Sequence, residues 1–403
     1  MTRCFLLATA AGLVASSAFA ADLPSKKAAP VEYVRVCSQY GAGFFYIPGS
    51  DTCLKIAGRV RAEYYYNEPL ARTDNTTSTR ARGYLTIDSY TATDWGPVRA
   101  TSRVYVTKDS GSSATPTLDW SYIQFAGVTA GRVETSFFEF APFGGVSFLG
   151  GGDNGRGSDY ASINVLAYTY NAGNGFLATL ALEDGTERRV GIGNAAIIPG
   201  YTVANGGYGG HVMPDVVGRL EYGASWGIAA LTGAVHQTRY ADGTYDTQYG
   251  YAIQGGVKVN LPMLAAGDAL FLQAAYANGA SSYTGWSSFT VGNASAPTYD
   301  VYATAAGGTD TARTWSVTGG IEHYWVPTVS TGLFASYGDF NGYATDDYRV
   351  FAIGANVKWS PVTNLLIGGE ATYQRAVDTP AAALAPGGQK DIWGGRLRIE
   401  RDF

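Results

Sequence analysis

From Cys53 to the last residue, polar and apolar side chains alternate with a period of two, and this alternation limits the chain to one kind of architecture. In Ala57 to Tyr66 one parity holds Arg59, Arg61 and Glu63, and the other holds Gly58, Val60, Ala62, Tyr64 and Tyr66. From Arg80 to Asp88, Arg80, Arg82, Tyr84, Thr86 and Asp88 oppose Ala81, Gly83, Leu85 and Ile87. A third segment sets Arg99, Thr101 and Arg103 against Val98, Ala100, Val104 and Val106. Successive side chains of a strand point to opposite faces, so each segment is a strand with a wet face and a greasy face. A soluble sandwich produces the same alternation, but the connections argue against it. Short links at Thr93–Gly96, Asn171–Asn174, Gly223–Ser225 and Ser360–Asn364 alternate with long polar ones at Asn67–Thr79, Asp184–Met213, Gly279–Thr311 and Arg375–Gly388. Short turns on one side and long loops on the other are the habit of a transmembrane barrel.

Strands placed by this rule begin near Leu54, Arg80, Pro97, Thr117, Gly127, Asp159, Gly175, Pro214, Trp226, Gln248, Ala269, Ala312, Thr328, Asp347, Thr363 and Lys390. The fold expected is therefore all-β, a transmembrane antiparallel barrel of about 16 strands. The chain carries 53 Gly and 29 Tyr with only 15% charged residues, and past residue 20 no stretch approaches an apolar spanning helix. In hydrocarbon every backbone N–H and C=O must be paired within the protein, which leaves a closed sheet as the spanning solution. Tyr64, Tyr66, Trp95, Trp315, Trp359 and Trp393, near inferred strand ends, are candidates for the interfacial aromatic girdles.

Arg3, the apolar run Phe5–Val14 and the Ala18-Phe19-Ala20 site have the form of a secretory signal peptide over residues 1–20. Residues 21–53 then form an N-terminal periplasmic segment, and 54–403 the barrel. Cys37 and Cys53 are the even pair left after export, read as a disulfide, with two buried free thiols as the alternative. Without Arg3 the chain has 27 basic residues (28 minus 1) against 33 acidic, which argues against a nucleic-acid partner.

Between the fifth and sixth strands lies GRVETSFFEFAPFGGVSFLGGGDNGRGSD, Gly131 to Asp159. Its five Phe residues are broken up by Gly and Pro, so neither period survives, and it reads as a long loop folded into an interior. A sixteen-stranded interior is too wide to fill with side chains and holds a water channel. The expectation is a constriction loop over 133–158 whose Glu134, Glu139, Asp153 and Asp159 face a basic wall of Arg59, Arg61, Arg80, Arg82, Arg99 and Arg103. Opposed charges across a narrow gap set up a transverse field that orders water and disfavours apolar solutes. The competing reading is that each Arg pairs with a nearby carboxylate such as Glu63 or Asp88, or snorkels to a headgroup.

Other chemistry finds little support. Gly150–Asp159 has the composition of a calcium loop without EF-hand spacing. His211, His236 and His323 lack metal-ligand spacing, no Ser is marked as a nucleophile, and no phosphate-binding loop or dinucleotide fingerprint is present. No catalytic residue, metal or cofactor is expected.

VEYVRVCSQYGAGFFYIPGSDTCLKIAGRVRAEYYY (Val31–Tyr66), YIQFAGVTAGRVETSFFE (Tyr122–Glu139) and the Phe403 terminus resemble the alphaproteobacterial general porins, typified by the major outer-membrane porins of Brucella and the rhizobia. The resemblance implies a sixteen-stranded outer-membrane barrel, a homotrimer in contact with bilayer lipid and lipopolysaccharide, the Cys37–Cys53 bridge, and passive diffusion of small hydrophilic solutes and ions past the third loop. Alternatives are a substrate-specific channel, or a barrel acting mainly as an adhesin or structural anchor.

Overall fold

The computed structural model describes residues 35–140, 146–148, 162–194, 207–241, 245–304, 308–343, 347–379 and 388–403. Residues 1–20 and 149–161, which include the leader, Asp153 and Asp159, lie outside them. Sixteen strands make the barrel. The first eight are β1 (Thr52–Asn67), β2 (Thr77–Thr91), β3 (Val98–Asp109), β4 (Thr115–Phe125), β5 (Val128–Val133), β6 (Ile163–Asn171), β7 (Phe176–Glu183) and β8 (Asp215–Ala224). The second eight are β9 (Gly227–Thr238), β10 (Gln248–Asn260), β11 (Ala269–Asn278), β12 (Arg313–Val326), β13 (Val329–Asn341), β14 (Asp347–Trp359), β15 (Leu365–Asp378) and β16 (Asp391–Asp402). Each pairs antiparallel with the next, and β1 pairs with β16, so the sheet closes on itself.

The strand starts fall within a few residues of those the alternation predicts, with Ile163 four residues beyond Asp159 as the largest offset. Boundaries slip most where β6 follows the long loop, since alternation has no contrast there. The outward parity is an apolar band that includes Val60, Leu85, Ile87, Val104, Val106, Leu397 and Ile399, all exposed on the isolated chain. All six girdle candidates are exposed as well, Trp95 the most at 82%. The tight end is made by turns such as Ala126–Gly127, whose φ values of 48° and 86° give the doubly left-handed two-residue link that suits the twist of a hairpin. Gly127 admits this backbone at no steric cost.

At the same end, residues 35–51 fold back beneath β1 and β2. Cys37 is bonded to Cys53 with 6.0 Å between Cα atoms. The two-residue strand Phe45–Tyr46 pairs with Leu54 and Cys53, and Tyr40 stacks on Tyr90 at 4.4 Å. Phe44 is buried there with both cysteines. The disulfide thus fastens a small aromatic cluster to the inner rim rather than holding the barrel together.

Closure depends on the seam. Nine residue pairs from Arg59↔Asp402 to Asn67↔Gly394 join β1 to β16. Phe403 extends the seam, its N–H donating to the Gly58 carbonyl at 3.0 Å and its carbonyl accepting from the Gly58 N–H at 2.8 Å. Its ring lies over Gly58, where an added Cβ would sit 2.4 Å from it. An aromatic ring over a strand glycine restores side-chain cover that the glycine lacks. Deleting Phe403 removes two backbone hydrogen bonds worth about 1 kcal/mol each and this cover. The expected outcome is a lower temperature at which the folded band is lost in semi-native SDS electrophoresis.

Candidate functional site

The inner faces of β1 to β4 carry the charged side chains, and register decides how they meet. Arg61 stands directly opposite Arg82, a like-charge pairing that is destabilising unless each cation is satisfied. Arg61 donates through Nε to Glu400 at 2.5 Å, and Glu400 is its partner across the seam. Arg82 donates to the Thr107 hydroxyl at 2.7 Å and the Tyr84 hydroxyl at 3.2 Å, and lies 4.4 Å from the centre of the Tyr105 ring. The Tyr84 ring has Arg59, Arg61, Arg82 and Arg103 within 5.1–5.8 Å, so its negative face is shared among four cations.

The remaining guanidinium groups are paired. Arg59 chelates Asp402 at 2.6 and 3.2 Å, Arg80 chelates Asp109 at 2.6 and 3.0 Å, and Arg99 chelates Asp88 at 3.0 and 2.9 Å. Arg103 donates to Asp119 at 2.6 Å and lies 3.5 Å from the centre of the Trp120 ring. Five of the six arginines therefore have a wall carboxylate, as the competing reading expects. Among the described residues, Arg82 alone of the six has no carboxylate within 4.0 Å. The six do share one face, and the wall keeps a dense set of donors around a cavity of about 460 Å³ lined by Lys55, Arg59, Arg99, Arg103, Tyr84 and Trp120.

The candidate acidic residues separate. Glu134 faces the wall, 3.4 Å from Arg103. Glu139 does not: it is buried and pairs with buried Arg188 at 3.1 Å, on the one-turn 3-10 helix Gly185–Arg188 that follows β7. Asp153 and Asp159 lie outside the described residues.

Beyond Glu134 the chain runs along the inner wall away from the arginines. Thr232 of β9 donates to the Phe138 carbonyl at 2.8 Å, and Arg219 of β8 donates to the Glu139 carbonyl at 2.7 Å. Phe140 lies on Gly256 of β10, and Val146 packs against Gly320 of β12 and Phe334 of β13. Asn356 of β14 donates to the Val146 carbonyl at 2.7 Å. Phe148 then covers Gly368 of β15, where an added Cβ would meet the ring at 2.4 Å. Glycine at Gly256 and Gly368 is a requirement of close approach. These buried rings contribute on the order of 2 kcal/mol each.

The far end is clamped by polar groups. Glu370 accepts from the Phe148 N–H at 2.9 Å, the Ser147 hydroxyl at 3.2 Å and Asn356 at 3.0 Å. Arg398 donates to the Phe148 carbonyl at 2.7 Å and also to Glu63 at 2.7 Å, with Arg396 3.4 Å from the same carboxylate. Glu370, Asn356, Arg396 and Arg398 escape the sequence reading, since nothing local marks them. The inward-parity glycines at 256, 320, 332 and 368 are the signal that traces this path. At the near end, Glu183 accepts from the Ser136 hydroxyl at 2.8 Å and the Phe137 N–H at 2.8 Å. His236 is buried and holds Asp215 at 2.8 Å, so it is part of a structural network rather than a metal site. Among the described residues no group of three His, Cys, Asp or Glu side chains is placed to hold a metal ion.

A closed sixteen-stranded sheet with an apolar outer band and charged side chains on its inner face is an outer-membrane channel. The chain belongs to the porin subfamily, whose family model matches residues 22–396. It is 28% identical to the porin Omp2b of Brucella abortus over 424 residues, covering 100% of this chain and 99% of that one. The Omp2b of Brucella suis is 28% identical over 426 residues with the same coverage. Among solved structures, the outer membrane channel DcaP of Acinetobacter baumannii superposes with a TM-score of 0.65 at 16% identity, over 89% of this chain and 99% of that one. The anion-selective porin of Comamonas acidovorans gives 0.55 at 14% identity, over 87% and 100%. Both share the fold. The protein is an outer-membrane general diffusion channel, a transporter by family rather than an enzyme.

The clamp gives a test of what holds the segment after β5. Glu370→Ala removes the acceptor of the buried Phe148 N–H, together with one bond each from Ser147 and Asn356, at a cost of about 1–3 kcal/mol for the unsatisfied Phe148 N–H. The expected result is new protease cleavage between residues 136 and 161 and a noisier open-channel current, with the barrel still folded.

Proposed function

We propose that solutes pass between the basic wall of β1 to β4 and the infolded segment 133–158, which sets the constriction. The observation that carries this reading is that residues 136–140 and 146–148 lie along the inward-facing residues of β8 to β16, and that among the described residues of the segment beyond Glu134 none contacts the arginine wall. Arg59, Arg61, Arg80, Arg82, Arg99 and Arg103 form the basic side. Glu134 stands on the opposing side, together with Asp153 and Asp159, whereas Glu139 serves as an anchor. Small hydrophilic solutes and ions diffuse through without a catalytic step. Residues 1–20 direct export, and 21–53 form a periplasmic segment stapled by its disulfide. Neutralising a wall cation makes the passage more favourable to cations. Arg82→Gln and Arg103→Gln are each expected to shift the reversal potential in a salt gradient toward cation preference, and Glu134→Gln to shift it the other way. The shifts should shrink as salt rises and the Debye length falls below about 10 Å. Unchanged potentials in all three would sink the constriction reading.

The channel is proposed to assemble as a homotrimer. One structural neighbour, OmpT of Vibrio cholerae, is in trimer form, and it superposes with a TM-score of 0.50 at 7% identity. Support from this chain is a lipid-facing groove of about 1000 Å³ floored by Ala355, Gly369, Ala371 and Gly395 and walled by Leu333, Val357, Leu397, Tyr64 and Tyr66. Small residues between large ones receive the side chains of a second copy. Ala371→Trp fills the groove and is expected to move the SDS-resistant oligomer to the monomer position while the monomer stays folded. An oligomer with wild-type mobility and heat resistance would argue against this face.

A further inference from the structure

We infer that residues 281–300, in the connection between β11 and β12, form a second filter in series with the constriction, placed toward the long-loop mouth and steric rather than ionic. The inference rests on the diffusion-channel function and adds an element beyond the segment after β5.

The connection is folded against the inside of the barrel. Trp286 and Phe289 are buried, 5.6 Å from the Phe340 ring and 4.9 Å from the Tyr348 ring respectively. Phe340 and Tyr348 belong to the inward parity of β13 and β14, and the same cluster includes Val350 and Ala376. Thr284 and Thr314 of β12 are hydrogen-bonded through their hydroxyls at 2.5 Å. The Tyr283 hydroxyl donates to Asp215 of β8 at 2.7 Å, and its ring packs edge-on against Phe138 at 4.7 Å. At the other extreme the tip reaches the start of β16 and the residues just before it: the Asn293 N–H donates to the Gln389 carbonyl at 2.8 Å, the Gln389 N–H returns a bond of 3.0 Å to the Asn293 side chain, and an added Cβ at Gly292 would sit 2.9 Å from the Asp391 carbonyl. The connection therefore crosses the inner circumference from β8 to β16.

Fixed points hold it there. Asp300 is fully buried and accepts from the Ser281 N–H at 2.7 Å, the Val190 N–H at 3.0 Å and the Tyr208 hydroxyl at 2.5 Å. Burial pushes this carboxyl up from the ordinary range, against the pull of His236 and of the donors around it. Residues Val301–Ala303 pair in parallel with Ile192–Asn194, which ties the preceding long connection to the same unit. A strap with buried aromatic anchors and paired backbone is part of the wall, with the rigidity of a packed core.

Its water-facing side follows from its own pleat. In the hairpin Phe289–Val291/Ala294–Ala296, Phe289, Val291 and Ala294 are buried on the wall, so Thr290 and Ser295 point away from it, into the passage. Ser287, Ser288 and Asn293 are exposed beside them. All five are uncharged. On β15 the lower segment touches Gly368 and Glu370, whereas the upper strap reaches Ala376. Six residues of a tilted strand separate the two levels by roughly 15 Å along the channel. A solute therefore meets a hydroxyl-rich lip before it meets the arginines.

The test uses the full-length protein in planar bilayers and in liposomes challenged with sugars of graded size. Ser295→Trp adds bulk on the passage side, giving up the Ser295 hydroxyl's bonds to Thr290 at 3.2 Å and to the Phe289 carbonyl at 3.3 Å while leaving the Phe289 and Trp286 rings in place. Conductance is expected to fall and the largest admitted sugar to become smaller, with the reversal potential unchanged. Replacing residues 287–297 by a short Gly-Ser link is expected to do the reverse, raising conductance and admitting larger sugars. Wild-type conductance and sugar cut-off in Ser295→Trp would overturn the second filter, and that variant decides the matter even where the loop replacement fails to fold. A shifted reversal potential in Ser295→Trp would overturn its steric nature. A wild-type protein that admits no sugar would instead overturn the channel function itself, a separate outcome.

Discussion

The structure depends on one requirement: every backbone donor and acceptor that meets hydrocarbon must be paired within the protein. The seam between β1 and β16 is where that requirement is hardest to meet, because its partners lie at opposite ends of the chain. Arg59 and Asp402 are 343 residues apart. Once the seam is made, the barrel sheet has no edge left to pair with another molecule. The interior can then carry the long connections without exposing their backbones to lipid, since each finds acceptors and donors on inward-facing side chains.

The inner circumference is divided by chemistry. From β8 to β15 the wall sets small and apolar residues such as Gly256, Gly320 and Gly368 among charged pairs such as Arg219–Glu221 and Lys358–Glu322, and two connections lie on it. On β1 to β4 the wall is charged, and its guanidinium groups are held by carboxylates, hydroxyls and rings. Ion pairs this exposed to water contribute little stability individually. Their effect is to fix the geometry of flexible side chains that would otherwise sweep the channel. The wall therefore presents oriented donors and rings, with most of its positive charge matched by carboxylates.

The period-two pattern makes the sixteen strands and the inward parity of six arginines readable from local sequence alone. In the phenylalanine-rich stretch between β5 and β6, the sequence likewise marks Phe138, Phe140 and Phe148 as rings with no reason to face water, and these three are buried. What local sequence conceals is partnership. Glu400 and Asp402 satisfy Arg61 and Arg59 only because closure brings β16 beside β1. Glu370 holds Phe148, and Asn356 holds Val146, across more than 200 residues of chain. Glu134 and Glu139 look equivalent in sequence, yet one faces Arg103 and the other is sealed with Arg188. The connection from Gly279 to Thr311 reads as a polar loop, since Trp286, Phe289 and Tyr299 are diluted by Ser, Thr, Gly and Ala. Its packing against Phe340 and Tyr348 is a tertiary fact without a periodic signature.

The sharing of the Tyr84 ring among four guanidinium groups has a consequence for how such a channel can change over generations. A cation that leans on a ring and a neighbouring hydroxyl can be lost or regained by one codon change without stranding a buried partner. Arg82 sits in that position. A change at Arg82 therefore alters the charge of the wall and leaves every ion pair standing, whereas a side chain at Gly256 or Gly368 would force a ring out of place. Charge and packing are carried by different parts of one sheet, and either can be altered without the other.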